Sequence, residues 1–180
     1  MLIPIIDKGT GKPEVMVKKR DNPNNFPSEV ILHGPNGNQF SIKIVNYQFP
    51  EIAHDKDDSN WLMISTFAAI RGRSWQTIDP CLSTVEIISL ISWISAIKSG
   101  NEAETEINFV EPNLSFKFKG RNNGSIVLQV FFELENRPSW APSHEVEEDL
   151  YVDLECTPNE LEAWVESLQQ QLAKFPPRGF

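Results

Sequence analysis

Residues 83–98 constrain this chain more than any other stretch, reading SerThrValGluIleIleSerLeuIleSerTrpIleSerAlaIleLys. Ser83 followed three residues later by Glu86 is a capping-box start, and Gly100 is a natural stop. Between them the side chains are apolar nearly all round, with small serines as the main interruption. A helix of that composition belongs in a core or in a membrane. At about 15 residues it falls short of the roughly 20 needed to cross a bilayer. The expectation is a buried central helix over about 84–98, around which the rest of the chain must be laid.

Patterning on either side supplies strands. Val30–His33, ProAsnGlyAsn (35–38) and Phe40–Tyr47 read as a hairpin, because AsnGly provides two positive-φ residues for a tight turn. Pairing about Asn36 and Gly37 sets Ile31 opposite Ile42 and His33 opposite Phe40, with Phe40, Ile42 and Ile44 on one face. Trp61–Ile70 is apolar on both faces and fits an interior strand. A shorter strand holds Trp75 and Thr77, and Asp79-Pro80 leads into the helix.

Beyond the helix, Ile107–Val110, Leu114–Lys119 and Ser125–Glu135 read as strands. A hairpin about residues 120–124 pairs Phe118 with Ile126, Phe116 with Leu128 and Leu114 with Val130. Glu148–Cys156 alternates strictly. ThrProAsnGlu (157–160) is a complete helix start, with Thr157 as cap, Pro158 at the first position and Glu160 at the third. It opens an amphipathic helix over about 158–174 that carries Leu161, Trp164, Val165, Leu168 and Leu172, with its glutamines turned outward. The fold class expected is α+β: a mostly antiparallel sheet of about seven to nine strands with two helices.

A chain of 180 residues suits one domain, here an N-terminal extension over 1–28 followed by a core over 29–178. Cys81 and Cys156 are the only cysteines, which argues against a disulfide scaffold and for a reducing compartment. MetLeuIleProIleIleAspLys (1–8) lacks the basic start and long apolar run of a signal peptide, so a cytoplasmic protein is expected.

The formal charge is −9, unevenly placed. Residues 1–50 carry a net of +2, whereas residues 101–180 carry 15 acidic and six basic side chains. No Lys or Arg falls between Arg137 and Lys174. Such one-sided acidity disfavours nucleic acid and favours a basic protein partner.

Catalytic and metal signals are weak. His33, His54 and His144 show no metal-ligand spacing. Cys81 stands near a helix start, which can activate a thiol, but it has no partner histidine close by, and packing is the better reading for it and for Cys156. AspLysAspAspSerAsn (55–60) opens like a calcium loop yet has Asn60 where that loop needs glycine and Thr66 where it needs glutamate. No cofactor, no metal and no enzyme activity are expected.

The sharpest candidate is the row Asp149, Tyr151, Asp153, Glu155 on one strand face, with alternate side chains roughly 7 Å apart. Asp55, Asp57 and Asp58, with Glu145 and Glu147, extend it into a partner-binding surface for a basic protein. A plain solvated sheet face is the alternative reading of the same row. Two other classes stay open: an enzyme or ligand-binding protein whose site converges from distant strands on Asp79, His33 or Cys81, and a structural or assembly module.

Seven motifs in order carry a resemblance: AsnGlyAsnGlnPhe (36–40), TyrGlnPheProGlu (47–51), AspSerAsnTrpLeu (58–62), AspProCysLeu (79–82), PheValGluProAsnLeuSerPhe (109–116), PheGluLeuGluAsnArgProSerTrpAla (132–141) and PheProProArg (175–178). Over about residues 30–178 the chain resembles WapI-type bacterial immunity proteins. The resemblance implies a protein that neutralises the toxic C-terminal domain of a secreted contact-dependent toxin, in some cases a tRNA nuclease. It carries over no catalytic residues.

Overall fold

The structure, a computed structural model, describes residues 29–141 and 149–179. It is α+β, with two antiparallel four-stranded sheets and two α-helices. The first sheet holds β1 (Leu32–His33), β2 (Gln39–Tyr47), β3 (Trp61–Ile70) and β4 (Arg73–Ser83), in that spatial order. Helix α1 (Thr84–Ser99) follows. The second sheet holds β5 (Glu106–Asn108), β6 (Leu114–Asn122), β7 (Ser125–Phe132) and β8 (Tyr151–Cys156), again in sequence order, and α2 (Pro158–Lys174) ends the fold. Each sheet is a meander, so every strand pairs with its neighbour in the chain.

The first hairpin differs from expectation by one residue. Leu32 faces Phe40 and His33 faces Gln39. A two-residue turn on Asn36-Gly37 would require an N–H from residue 35, and proline has none. The N–H of Gly34 donates to the Asn38 carbonyl instead, at 2.9 Å, and that of Asn38 to the Pro35 carbonyl, at 3.1 Å. The turn therefore spans three residues. A one-residue slip exchanges faces: Leu32 is 1% exposed and Ile31 41%.

The hairpin joining β6 and β7 differs by two residues, which preserves faces. Its turn is Asn123-Gly124, both at positive φ, and a bulge between Phe118 and Gly120 leaves Phe116 opposite Val130. β4 is longer than expected and continues through Asp79-Pro80. Pro80 falls in a register shift opposite β3, where its missing N–H is not needed by the ladder.

Helix α1 starts with the expected box: the N–H of Glu86 donates to Ser83 Oγ at 3.3 Å, and that of Ser83 donates to Glu86 Oε2 at 2.8 Å. Gly100, at φ 75°, closes it. Its burial is one-sided. Ile87, Leu90, Trp93, Ile94 and Ile97 enter the core, while Val85 and Ile88 are exposed. The open side tolerates water because Ser89 and Ser92 return their hydroxyls to carbonyls four residues back.

Aromatic rings join the layers. Phe40 of the first sheet meets Phe116 and Phe132 of the second and Trp164 of α2, all edge-on within 6.1 Å. The sheets also touch where β1 meets β8. Asn38 Nδ2 donates to the Asp153 carbonyl at 3.1 Å, and the Cys156 thiol points at the His33 carbonyl, 3.7 Å away. Not every glutamine of α2 faces outward: Gln171 is buried, and its Oε1 accepts the Ile44 N–H at 2.6 Å beside a β2 bulge.

After α2 the chain is fastened down. The Arg178 guanidinium lies 3.3 Å from the centre of the Tyr47 ring and donates to the Pro50 and Ile52 carbonyls.

Candidate functional site: two surface clefts

Strand β8 carries the expected row. Val152, Leu154 and Cys156 point into the core, and Tyr151, Asp153 and Glu155 point outward as far as the alternation requires. Asp149 is exposed just ahead of the strand. The carboxylates are not free-standing. Gln129 Nε2 donates to Asp153 Oδ1 at 2.9 Å, and Asn122 Nδ2 to Glu155 Oε1 at 3.0 Å. Tyr151 leans on Phe131, with ring centres 5.4 Å apart. Glu145 and Glu147 lie outside the described residues.

Asp55, Asp57 and Asp58 form a self-bonded loop elsewhere. Asp55 Oδ1 accepts the N–H groups of both Asp57 and Asp58 at 2.8 Å. Asn60 behind them ties the loop to the chain end, accepting the Arg178 N–H at 2.9 Å, and to α1 through the Thr84 hydroxyl.

A cleft of about 370 Å³ opens between this loop and the second sheet, lined in part by Asp58, Asp79, Glu111, Asn113 and Glu135. Buried Asn113 lines it and donates through Nδ2 to Asp79 Oδ2 at 3.1 Å and to Glu135 Oε2 at 3.0 Å. Burial, then the charges of Glu135 and Glu111, push the Asp79 carboxyl above its usual 3.8. Among the described residues no three His, Cys, Asp or Glu side chains are arranged to hold a metal ion.

The second cleft, about 690 Å³, lies at the start of β8. Arg71, Arg73, Trp140, Asp149, Tyr151 and Asp153 all line it. Arg73 places its guanidinium 5.2 Å from the Trp140 ring centre, and Trp140 stands edge-on to Trp75. The two clefts share no lining residue. The acidic row and the acidic loop are thus brought to separate places, and the row's upper end adjoins two cations.

Asp79, His33 and Cys81 do not converge. His33 and Asp79 stand on opposite edge strands of the first sheet, with β2 and β3 between them. Cys81 is fully buried, takes a contact from Asn136 Nδ2 at 3.6 Å, and has its thiol pushed up to about 12, chiefly by burial. Cys156 is likewise raised to about 12. Neither thiol is a nucleophile at neutral pH.

The family model described as the Immunity protein WapI-like family matches residues 31–176. The chain belongs to that family. No curated protein and no solved structure matches it.

The WapI-like match runs from β1 to the end of α2 and stops short of Arg178, whose side chain fastens the 49–60 loop. It spans both clefts. No helix among the described residues of this WapI-like chain is long and apolar enough to cross a membrane. Sequence reading missed both clefts. The acidic one draws on five separate stretches of the chain, and the other joins the β3–β4 turn to the start of β8. The one local signal was Trp140, a large aromatic in a proline-flanked loop.

Proposed function

We propose that this protein binds the toxic C-terminal domain of a secreted contact-dependent toxin in the cytoplasm and blocks it by occupancy, without catalysis. One observation carries this reading: a match to an immunity-protein family over the whole described secondary structure. The charge distribution supports it. A chain at −9, with carboxylates on the outward face of β8, on the Asp55–Asp58 loop and around Asn113, is complementary to a basic, RNA-directed protein surface. Such complementarity raises the association rate, and buried aromatic contacts then slow dissociation. The proposed partner-binding residues are Asp149, Tyr151, Asp153 and Glu155, together with Asp55, Asp57, Asp58, Glu145 and Glu147.

Co-expression with the toxin fragment encoded beside this chain tests the reading. The expected result is rescued growth and a 1:1 complex on a sizing column. Continued toxicity with no complex would refute it.

A further inference from the structure

We propose that the cleft bounded by Arg71, Arg73, Trp140 and Tyr151 receives a carboxylate side chain of the toxin domain, so that the interface is anchored by cations inside an acidic protein. This rests on the reading above and assigns it an anchor site.

Four observations converge there. The first is the cavity itself, about 690 Å³ and large enough for several side chains. The second is charge. Lys98, Lys117, Arg121 and Arg137 each meet a carboxylate, whereas Arg71 and Arg73 make no ion pair among the described residues. Arg73 is instead held over the Trp140 ring, which leaves the edge of its guanidinium open for a bidentate acceptor.

The third is the turn. Arg71 and Gly72 connect β3 to β4 at φ 51° and 77°, a geometry that selects Asn-Gly or Gly-Gly. Arginine at positive φ is uncommon, and the turn gains nothing from its side chain. A strained residue kept on the rim of a cleft points to a use beyond the turn. The fourth is composition. Trp140 is 38% and Tyr151 36% exposed, and Trp, Tyr and Arg are the residue types that dominate binding hot spots.

The same cleft decides the chemistry of its occupant. Asp149 and Asp153 line it beside the arginines. A nucleic-acid backbone would bring repeated negative charge against them, whereas one carboxylate set among basic side chains meets both signs.

The experiment is calorimetric titration of the full-length protein with the toxin domain, at low and high salt. Arg71→Gly should raise the urea midpoint, because it relieves the turn, while weakening binding about tenfold. Arg73→Glu should weaken it about a hundredfold. Replacing the toxin's exposed carboxylates by lysine, one at a time, should yield one variant that restores binding to Arg73→Glu. Both arginine variants binding within about twofold of wild type would overturn this inference and leave the immunity reading standing. Failure of the wild-type protein to bind would remove the reading on which it rests. Tight binding of the wild type to a short single-stranded RNA, lost in Arg73→Glu, would give the cleft to nucleic acid and also overturn the inference.

Discussion

Gly34 offers the sharpest test of how the two sheets are joined. Its φ is −139°, extended backbone that any residue adopts, so substitution carries no conformational penalty. The obstacle is space. A Cβ built on Gly34 would lie 2.0 Å from the Asp153 carbonyl oxygen and 3.0 Å from the Leu154 Cα, both backbone of β8. No rotamer can relieve that, so Gly34→Ala must push β8 away from the first sheet. Overpacking of this kind costs about 1–3 kcal/mol. The Asn38–Asp153 hydrogen bond, at 3.1 Å, would stretch as well, at roughly 1 kcal/mol. The sum is about 2–4 kcal/mol, a large part of the roughly 5–15 kcal/mol available to a folded chain.

Equilibrium urea unfolding followed by tryptophan fluorescence reads it, since Trp75, Trp93 and Trp164 are all buried. With a slope of about 2 kcal/mol per molar, the midpoint should fall by about 1–2 M. Gly37→Ala is the control: it has open space around it but a φ of +78°, so it should lose only about 1 kcal/mol through backbone strain. A Gly34→Ala midpoint within about 0.3 M of wild type would refute the argument that β1 and β8 abut as rigid backbones.

Asp79 supplies a pH test. Burial and the neighbouring carboxylates raise its folded-state pKa above 3.8, so the native state holds this proton more tightly than the unfolded state, and stability falls as pH climbs above 3.8. Asp79→Asn should therefore be more stable than wild type at pH 7, with the advantage vanishing below 3.8; urea midpoints across pH read this directly. Glu160 has the opposite sign. The Thr157 N–H and hydroxyl hold its carboxyl below 4.5, so its contribution is present above 4.5 and is lost as pH falls through the lowered value. Thr157→Ala should cost about 1 kcal/mol at pH 7, measured by the same unfolding assay. Both thiols, buried and raised to about 12, should resist a disulfide reagent at pH 8 in the native state and react fully in urea.

Elements whose ends are written in local chemistry were legible. The Ser83/Glu86 and Thr157/Glu160 boxes fix both helix starts, and β3 occupies the expected Trp61–Ile70. Local chemistry also explains the failures. Pro35, by lacking an N–H, moved the first hairpin one residue, and the Asn123-Gly124 turn with its bulge moved the second by two. The division into two sheets was not legible, because hydrophobic alternation assigns a face to each strand and says nothing about which sheet that face meets. For the same reason the β8 row could be read while its neighbours could not: Arg71, Arg73 and Trp140 reach it only through the tertiary fold. The openness of α1 along Val85 and Ile88 was hidden by a composition that suits full burial.

Because each meander is contiguous in sequence, residues 100–105 are the only covalent passage from one sheet to the other among the described residues. Cleaving that passage would leave two polypeptides, each with a whole sheet and one helix, with Phe40 on the first and its ring partners Phe116, Phe132 and Trp164 on the second. Both clefts take walls from both pieces, so a ligand seated in either would act as glue, drawing the halves together in proportion to its own concentration. The protein is thereby a natural candidate for splitting into a two-part reporter of the molecule it captures.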